Sequence, residues 1–211
     1  MYEKLIDKFF RENAVKNKDV PSVQAIAHFQ LTLLLKPDVN EEVHGFINDL
    51  VFEKQPNRKD NVLAEKNEIE SAANSNDVIH LMRRKIDPMN QHILVNQAVK
   101  FEDEVIPETI KRLKTSLNTG FIETAVRVLS ACGIDIADEL VGYFDEVRDP
   151  YAQSMILLVL GFKAKEEHIP WMIEKHKEMK LKYPDETYCD SVIYALDDIE
   201  VRIYPGEKEL T

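Results

Sequence analysis

The sequence predicts an all-α protein built from stacked two-helix units, and three observations carry that prediction. A five-residue pattern comes round three times, as Ile106-Pro107-Glu108-Thr109-Ile110, Ile136-Ala137-Asp138-Glu139-Leu140 and Ile169-Pro170-Trp171-Met172-Ile173. Each copy places an apolar residue four positions after an isoleucine, and the isoleucines stand 30 and 33 residues apart, the range in which one supersecondary unit stacks on copies of itself. Asp87-Pro88 and Asp149-Pro150 each offer an N-cap oxygen followed by a proline at the first helical position, where its missing N–H costs nothing. Met155 to Leu160 is an unbroken apolar run, the mark of a helix covered on more than one side.

Taken in order, Leu5, Ile6, Phe9 and Phe10 recur at helical spacing, as do Val23, Ile26, Ala27, Phe29, Leu33 and Leu34 after Pro21. Pro37-Asp38 breaks the second helix, and Val43, Phe46, Ile47, Leu50 and Val51 predict a third. The polar stretch Gln55 to Asn61 reads as a boundary. A weakly apolar helix over about Val62 to Ala73 follows, then a break at Asn74 to Asp77 and a helix from Val78 to Ile86. First helices of the repeat are expected near 88, 119, 150 and 185, capped by Asp87, Asn118 or Thr119, Asp149 and Asp185. Second helices are expected near 103, 135 and 166, each with carboxylates at its N-terminus, where the helix dipole favours them. Pro107 and Pro170 fit a first turn, because a proline in a helix interior removes a hydrogen bond. Gly133 and Gly161 are expected at helix ends, and Leu140 in an inter-helix layer of the core. The chain divides on this reading into N-terminal helices, 1–76, that form either a cap or irregular repeats, and a repeat region, 77–211, with one continuous solenoid as the alternative.

Of 211 residues, 44% are apolar and 31% charged, a globular balance. No run of 18 apolar residues occurs and charges interrupt the first 20 positions, so neither a membrane span nor a signal peptide is expected and the reading is cytoplasmic. Cys132 and Cys189 read as reduced core thiols. The net charge of −11 is uneven: residues 1–86 hold 13 Lys+Arg against 14 Asp+Glu, and residues 87–211 hold 14 against 24. That acidic field disfavours a nucleic-acid partner and allows a basic one.

The two-helix unit with its Ile-Pro-x-x-Ile opening of the second helix resembles the HEAT-like repeats, and residues 87–201 resemble a small bacterial group of them. The clearest stretch runs from Asp149-Pro150-Tyr151-Ala152-Gln153-Ser154 through Leu160-Gly161 to Ile169-Pro170-Trp171. The resemblance implies a right-handed α-α superhelix, a HEAT-like solenoid, with an N-terminal helical cap region and a concave binding face lined by second helices. The middle copy departs from the pattern with Ala137 in place of proline. Members of that class that bind two irons do so through His-Glu dipeptides, and none of the six histidines here precedes a glutamate.

Chemical motifs are informative by absence. The six glycines form no Gly-x-Gly, and the histidines form no His-x-x-x-His and have no cysteine at ligand spacing. Carboxylates at a helix start explain Glu166-Glu167-His168 structurally. No catalytic, cofactor or metal residue is therefore assigned. The expected function is a non-enzymatic protein-protein interaction module using the concave or edge surface. Its second helices present Glu108, Lys111, Arg112, Glu139, Tyr143, Trp171 and Lys175 to a protein or peptide. The alternative is an enzyme or small-molecule binder with a pocket between the N-terminal helices and the repeats. Trp171 stands in register with Glu108 and Asp138, which argues for a partly exposed ring, while packing under the helix that follows Asp185 is the other placement open to it.

Overall fold

The computed structural model describes residues 1–13, 21–36 and 52–205. Every regular element among them is helical: α1 (Tyr2–Glu12), α2 (Val23–Leu34), α3 (Pro56–Glu70), α4 (Ser75–Met82), α5 (Gln91–Val99), α6 (Glu102–Leu113), α7 (Thr119–Ala131), α8 (Ala137–Tyr143), α9 (Pro150–Lys163), α10 (Ile169–Lys182) and α11 (Asp190–Ile203). Short 3-10 turns at Pro88–Asn90, Phe144–Glu146 and Glu166–His168 join some of them. The helix expected over Val43 to Val51 and the break at Pro37 lie outside the described residues.

Contacts gather the chain into two compact units, one of residues 1–29 with 135–211 and one of residues 30–134. The division expected between 76 and 77 falls inside the second of these. In the second unit α5 packs on α3, α4, α6 and α7, and α6 on α4 and α7. Leu94, Val95, Ile106, Ile110, Phe121, Ile122 and Leu129 fill the space between them. In the first unit α9 lies against α8 and α11, and α1 packs on α10 and α11. All six residues of the Met155–Leu160 run are buried, as an apolar-all-round helix requires.

The capping signals act as expected at three starts. Asp87 Oδ1 accepts from Met89 N at 3.0 Å, Asn118 Oδ1 from Phe121 N at 3.1 Å and Asp149 Oδ1 from Tyr151 N at 3.0 Å. Asp87 opens a 3-10 turn, however, and α5 itself begins at Gln91. The last helix starts at Asp190 rather than at Asp185.

Four other local expectations are corrected. Gln55 to Asn61 is mostly the first half of α3, because Pro56 pre-sets its first turn and Arg58 is held by a two-pronged bond to Asp87 at 2.9–3.1 Å. The following helix spans Ser75–Met82, since Asn74 caps it through Asp77 N at 3.0 Å. Gly133 stands just past the Cys132 cap of α7 as expected, but Gly161 does not end its helix, and no described glycine has positive φ. Gly161 lies within α9, where its lack of a Cβ lets Ala195 of α11 come close: a Cβ there would stand 2.8 Å from Ala195 Cα.

Pro107 sits inside α6 instead of opening it, since α6 begins at Glu102 with Glu102, Asp103 and Glu104 in its first turn. The ring removes the hydrogen bond to the Asp103 carbonyl, and both Asp103 and Pro107 are exposed, so water can satisfy that oxygen. Pro107→Ala restores the bond. It is expected to raise stability by about 1–2 kcal/mol, less than the ~3 kcal/mol separating the residues in host helices because alanine also frees the unfolded chain. The urea midpoint measures it, and an unchanged midpoint would contradict this account of α6.

Several polar contacts join residues about 30 positions apart. Arg58–Asp87 and Ser75–Glu104 join residues 29 apart, Glu102–Gly133 residues 31 apart, and Asp138–His168 and Asp145–Lys175 residues 30 apart. Each contact lies within one unit. Each ties one helix or turn to another about 30 positions along the chain.

Candidate functional site

The expected partner-binding residues fall into two groups, one per unit. In the second unit Glu108, Lys111 and Arg112 occupy one face of α6 at i, i+3 and i+4. Arg112 Nε donates to Glu108 Oε1 at 2.7 Å and Lys111 Nζ lies 3.6 Å from Glu108 Oε2, so the carboxylate is satisfied within its own helix. Lys111 is exposed, while Glu108 and Arg112 are closer to half-buried.

In the first unit α8 turns Ala137 and Leu140 inward and leaves Asp138 and Glu139 exposed on the outer side. Tyr143 is half-buried at its end, and the 3-10 turn that follows buries Phe144. Helix α10 buries Ile169, Met172, Ile173, His176 and Met179. Trp171 therefore lies at the margin of the buried face. It is half-buried, its ring edge-on to Phe144 at 5.1 Å and 88°. Edge-to-face packing puts the positive rim of one ring against the negative face of the other. The ring is thus partly exposed, as its register suggested, and its buried side rests on Phe144.

Lys175 corrects the expectation that it faces a partner: its side chain is only 10% exposed. Its Nζ donates to Asp145 Oδ1 and Glu178 Oε2, each at 2.8 Å, and lies 5.9 Å from the Trp171 ring centroid and 5.7 Å from that of Phe144. Burial works against the ammonium, but the hydrogen bonds to Asp145 and Glu178 outweigh it, so the Lys175 pKa stands above the ordinary lysine value. Two acids thus surround one internal cation. Asp145 is 77% exposed and Glu178 52%, so both carboxylates remain open to solvent.

Below this lies a tie between the starts of two second helices. Lys165 Nζ meets Asp135 Oδ2 at 2.8 Å, a bond that lowers the Asp135 pKa and raises that of Lys165. His168, buried, accepts from Lys165 N at Nδ1 (3.0 Å) and so carries its proton on Nε2, which donates to Asp138 Oδ1 at 2.9 Å. The ligand atoms of Asp138, Glu167 and His168 lie within 4.8 Å of one another, close enough for a metal ion. The hydrogen bonds oppose it. An ion at Nε2 needs the lone pair there, and the proton would have to move to Nδ1, against the Lys165 N–H.

Between α1 and α10 lies a cleft of about 90 Å³, lined by Leu5, Phe9, Asn13, Ile173 and His176 among others. Small-molecule sites run to roughly 300–1,000 Å³. The cleft thus falls short of the pocket that the alternative reading requires.

Phe144, Asp145 and Glu178 were not singled out by sequence, yet a signal was present. Asp145 precedes Lys175 by one repeat period, as Asp138 precedes His168. The described residues thus define an all-helical protein of packed helices, with Trp171 lying near Lys175 and its partners Asp145 and Glu178 in one unit. No family model, no curated protein and no solved structure gives a significant match to the chain.

Proposed function

We propose that the protein is a non-enzymatic interaction module, a HEAT-like helical-repeat protein whose second-helix surface binds a basic protein or peptide in the cytoplasm. The observation that carries this reading is the arrangement around Trp171: a half-buried aromatic ring near Lys175, which is drawn inward and already neutralised by the exposed carboxylates of Asp145 and Glu178. Aromatic anchors flanked by unspent carboxylates suit arginine and lysine side chains, through cation-π contact and charge-assisted hydrogen bonds. The contacts between residues 29–31 apart support the right-handed stacked-repeat architecture that the resemblance implies.

Trp171 is the only tryptophan, so its fluorescence reports this site alone. Titration with a lysine- and arginine-rich peptide is expected to shift its emission at low salt, with the effect weakening as salt screens surface charge. A peptide of reversed charge should leave the emission unchanged. By calorimetry Trp171→Ala should weaken the basic peptide about thirtyfold, the loss of a hot spot worth ~2 kcal/mol. No emission change, or equal response to both peptides, overturns the proposal.

A further inference from the structure

His176 is an independent feature that the binding surface does not use. It is 3% exposed on α10, at the junction with α1 and α11. Its Nδ1 lies 2.9 Å from the Cys189 carbonyl oxygen and its Nε2 lies 3.2 Å from Asn13 Oδ1, so both ring nitrogens face oxygen. Asn13 is committed as well: its Nδ2 donates to the Phe9 carbonyl at 3.0 Å, closing the end of α1. The Phe9 ring packs edge-on to the imidazole at 4.9 Å.

A neutral imidazole has one N–H to give. Once Nδ1–H is given to Cys189, the Nε2 lone pair needs a donor, and Asn13 can supply one only by turning its amide away from Phe9. A proton on Nε2 would satisfy Asn13 as it stands, but it places an imidazolium against Phe9 and Ile173 at the cost of desolvation. Charged groups around the ring are Lys8 and Glu12 on α1, Lys177 and Lys180 on α10, and Asp190 on α11.

We propose that His176 and Asn13 form a proton-sensitive clasp holding α1 on α10 and α11, so that acidification through the histidine range loosens α1 and uncovers the α10 face around Ile173. Burial, the largest influence, holds the His176 pKa below its ordinary value; the Cys189 bond and Asp190 oppose that shift and Lys180 adds to it. A released His176 regains its ordinary pKa of about 6.5 and binds more protons than the docked one. Docking is therefore complete above that pH. It weakens as the pH falls from there toward the depressed docked pKa, by up to about tenfold per unit for one proton.

Hydrogen exchange on the full chain, corrected for intrinsic rates, tests this. Protection of α1 amides should fall about tenfold between about pH 7 and pH 5, while α7 amides hold theirs. In His176→Gln, whose amide can still donate to Cys189 but does not titrate, α1 protection should not depend on pH. Asn13→Asp faces Nε2 with a carboxylate, favours the docked imidazolium and should shrink the acid-driven loss of α1 protection. The proposal is overturned if wild-type α1 protection is pH-independent, or if His176→Gln loosens on acidification as the wild type does. Should His176→Gln leave α1 unprotected at both pH values, Asn13→Asp decides, and a loss there as large as in the wild type overturns it.

Discussion

Phe144→Ala is expected to lower the stability of the protein by about 3–5 kcal/mol, the cost of emptying a large buried aromatic site. Phe144 is 2% exposed, and two contacts depend on its ring. Trp171 packs edge-to-face against it at 5.1 Å and the Lys175 ammonium sits 5.7 Å from its centroid, while Gln153 Nε2 holds the turn itself by donating to the Phe144 and Val147 carbonyls at 3.3 and 3.0 Å. With the ring gone, a partly buried cation loses a wall and the tryptophan gains solvent. Unfolding should begin about 10 °C or more lower, at roughly 2–4 °C per kcal/mol for a chain of this size. Trp171 emission should shift to the red in the folded state. A loss under about 1 kcal/mol with unshifted emission would contradict the packing of Phe144 against Trp171 of α10.

Gly161→Val should cost about 3 kcal/mol, the upper end of what overpacking a core does. A Cβ at 161 would lie 2.8 Å from Ala195 Cα and 3.3 Å from its Cβ, and backbone cannot swing aside as a side-chain tip can. The helices α9 and α11 would have to separate. Asp198 Oδ2, 3.0 Å from the same point, would be displaced from its 2.8 Å contact with His28 Nε2. Gly142→Ala serves as the control: it lies exposed in α8 with nothing within 4 Å of an added Cβ, and should gain about 0.5–1 kcal/mol from helix propensity. Equal effects of the two substitutions in denaturant melts would contradict the close crossing of α9 and α11.

The lesson of the repeat is in how differently its parts were legible. Asp87, Asn118 and Asp149 cap helices through bonds to residues two or three positions on, so sequence alone contains both partners. The buried run Met155–Leu160 and the buried Leu140 followed in the same way from apolar spacing. Where composition and tertiary contact disagreed, contact won. Gln55 to Asn61 is polar enough to read as a linker, but Arg58 finds Asp87, and Asn90 Nδ2 reaches the Val62 carbonyl at 2.9 Å, so the stretch is held as helix.

The candidate site divides along the same line. That Trp171 breaks a charged register was visible in sequence, because Glu108 and Asp138 fill the equivalent places. The partly exposed ring expected there is half-buried, but its packing partner was not visible, because that is Phe144 from an earlier turn of the chain. Lys175 shows the limit most clearly: a lysine at helical spacing from a tryptophan reads as surface, and only Asp145, one repeat earlier, and Glu178 draw it inside. By itself the sequence determined helical class, caps and the acidic field, since these depend on residues within one or two turns or on composition. The tertiary structure alone decided which charges are spent internally, which glycine marks a helix crossing, and that α1 belongs with α10 and α11, because each rests on contacts between residues far apart in the chain.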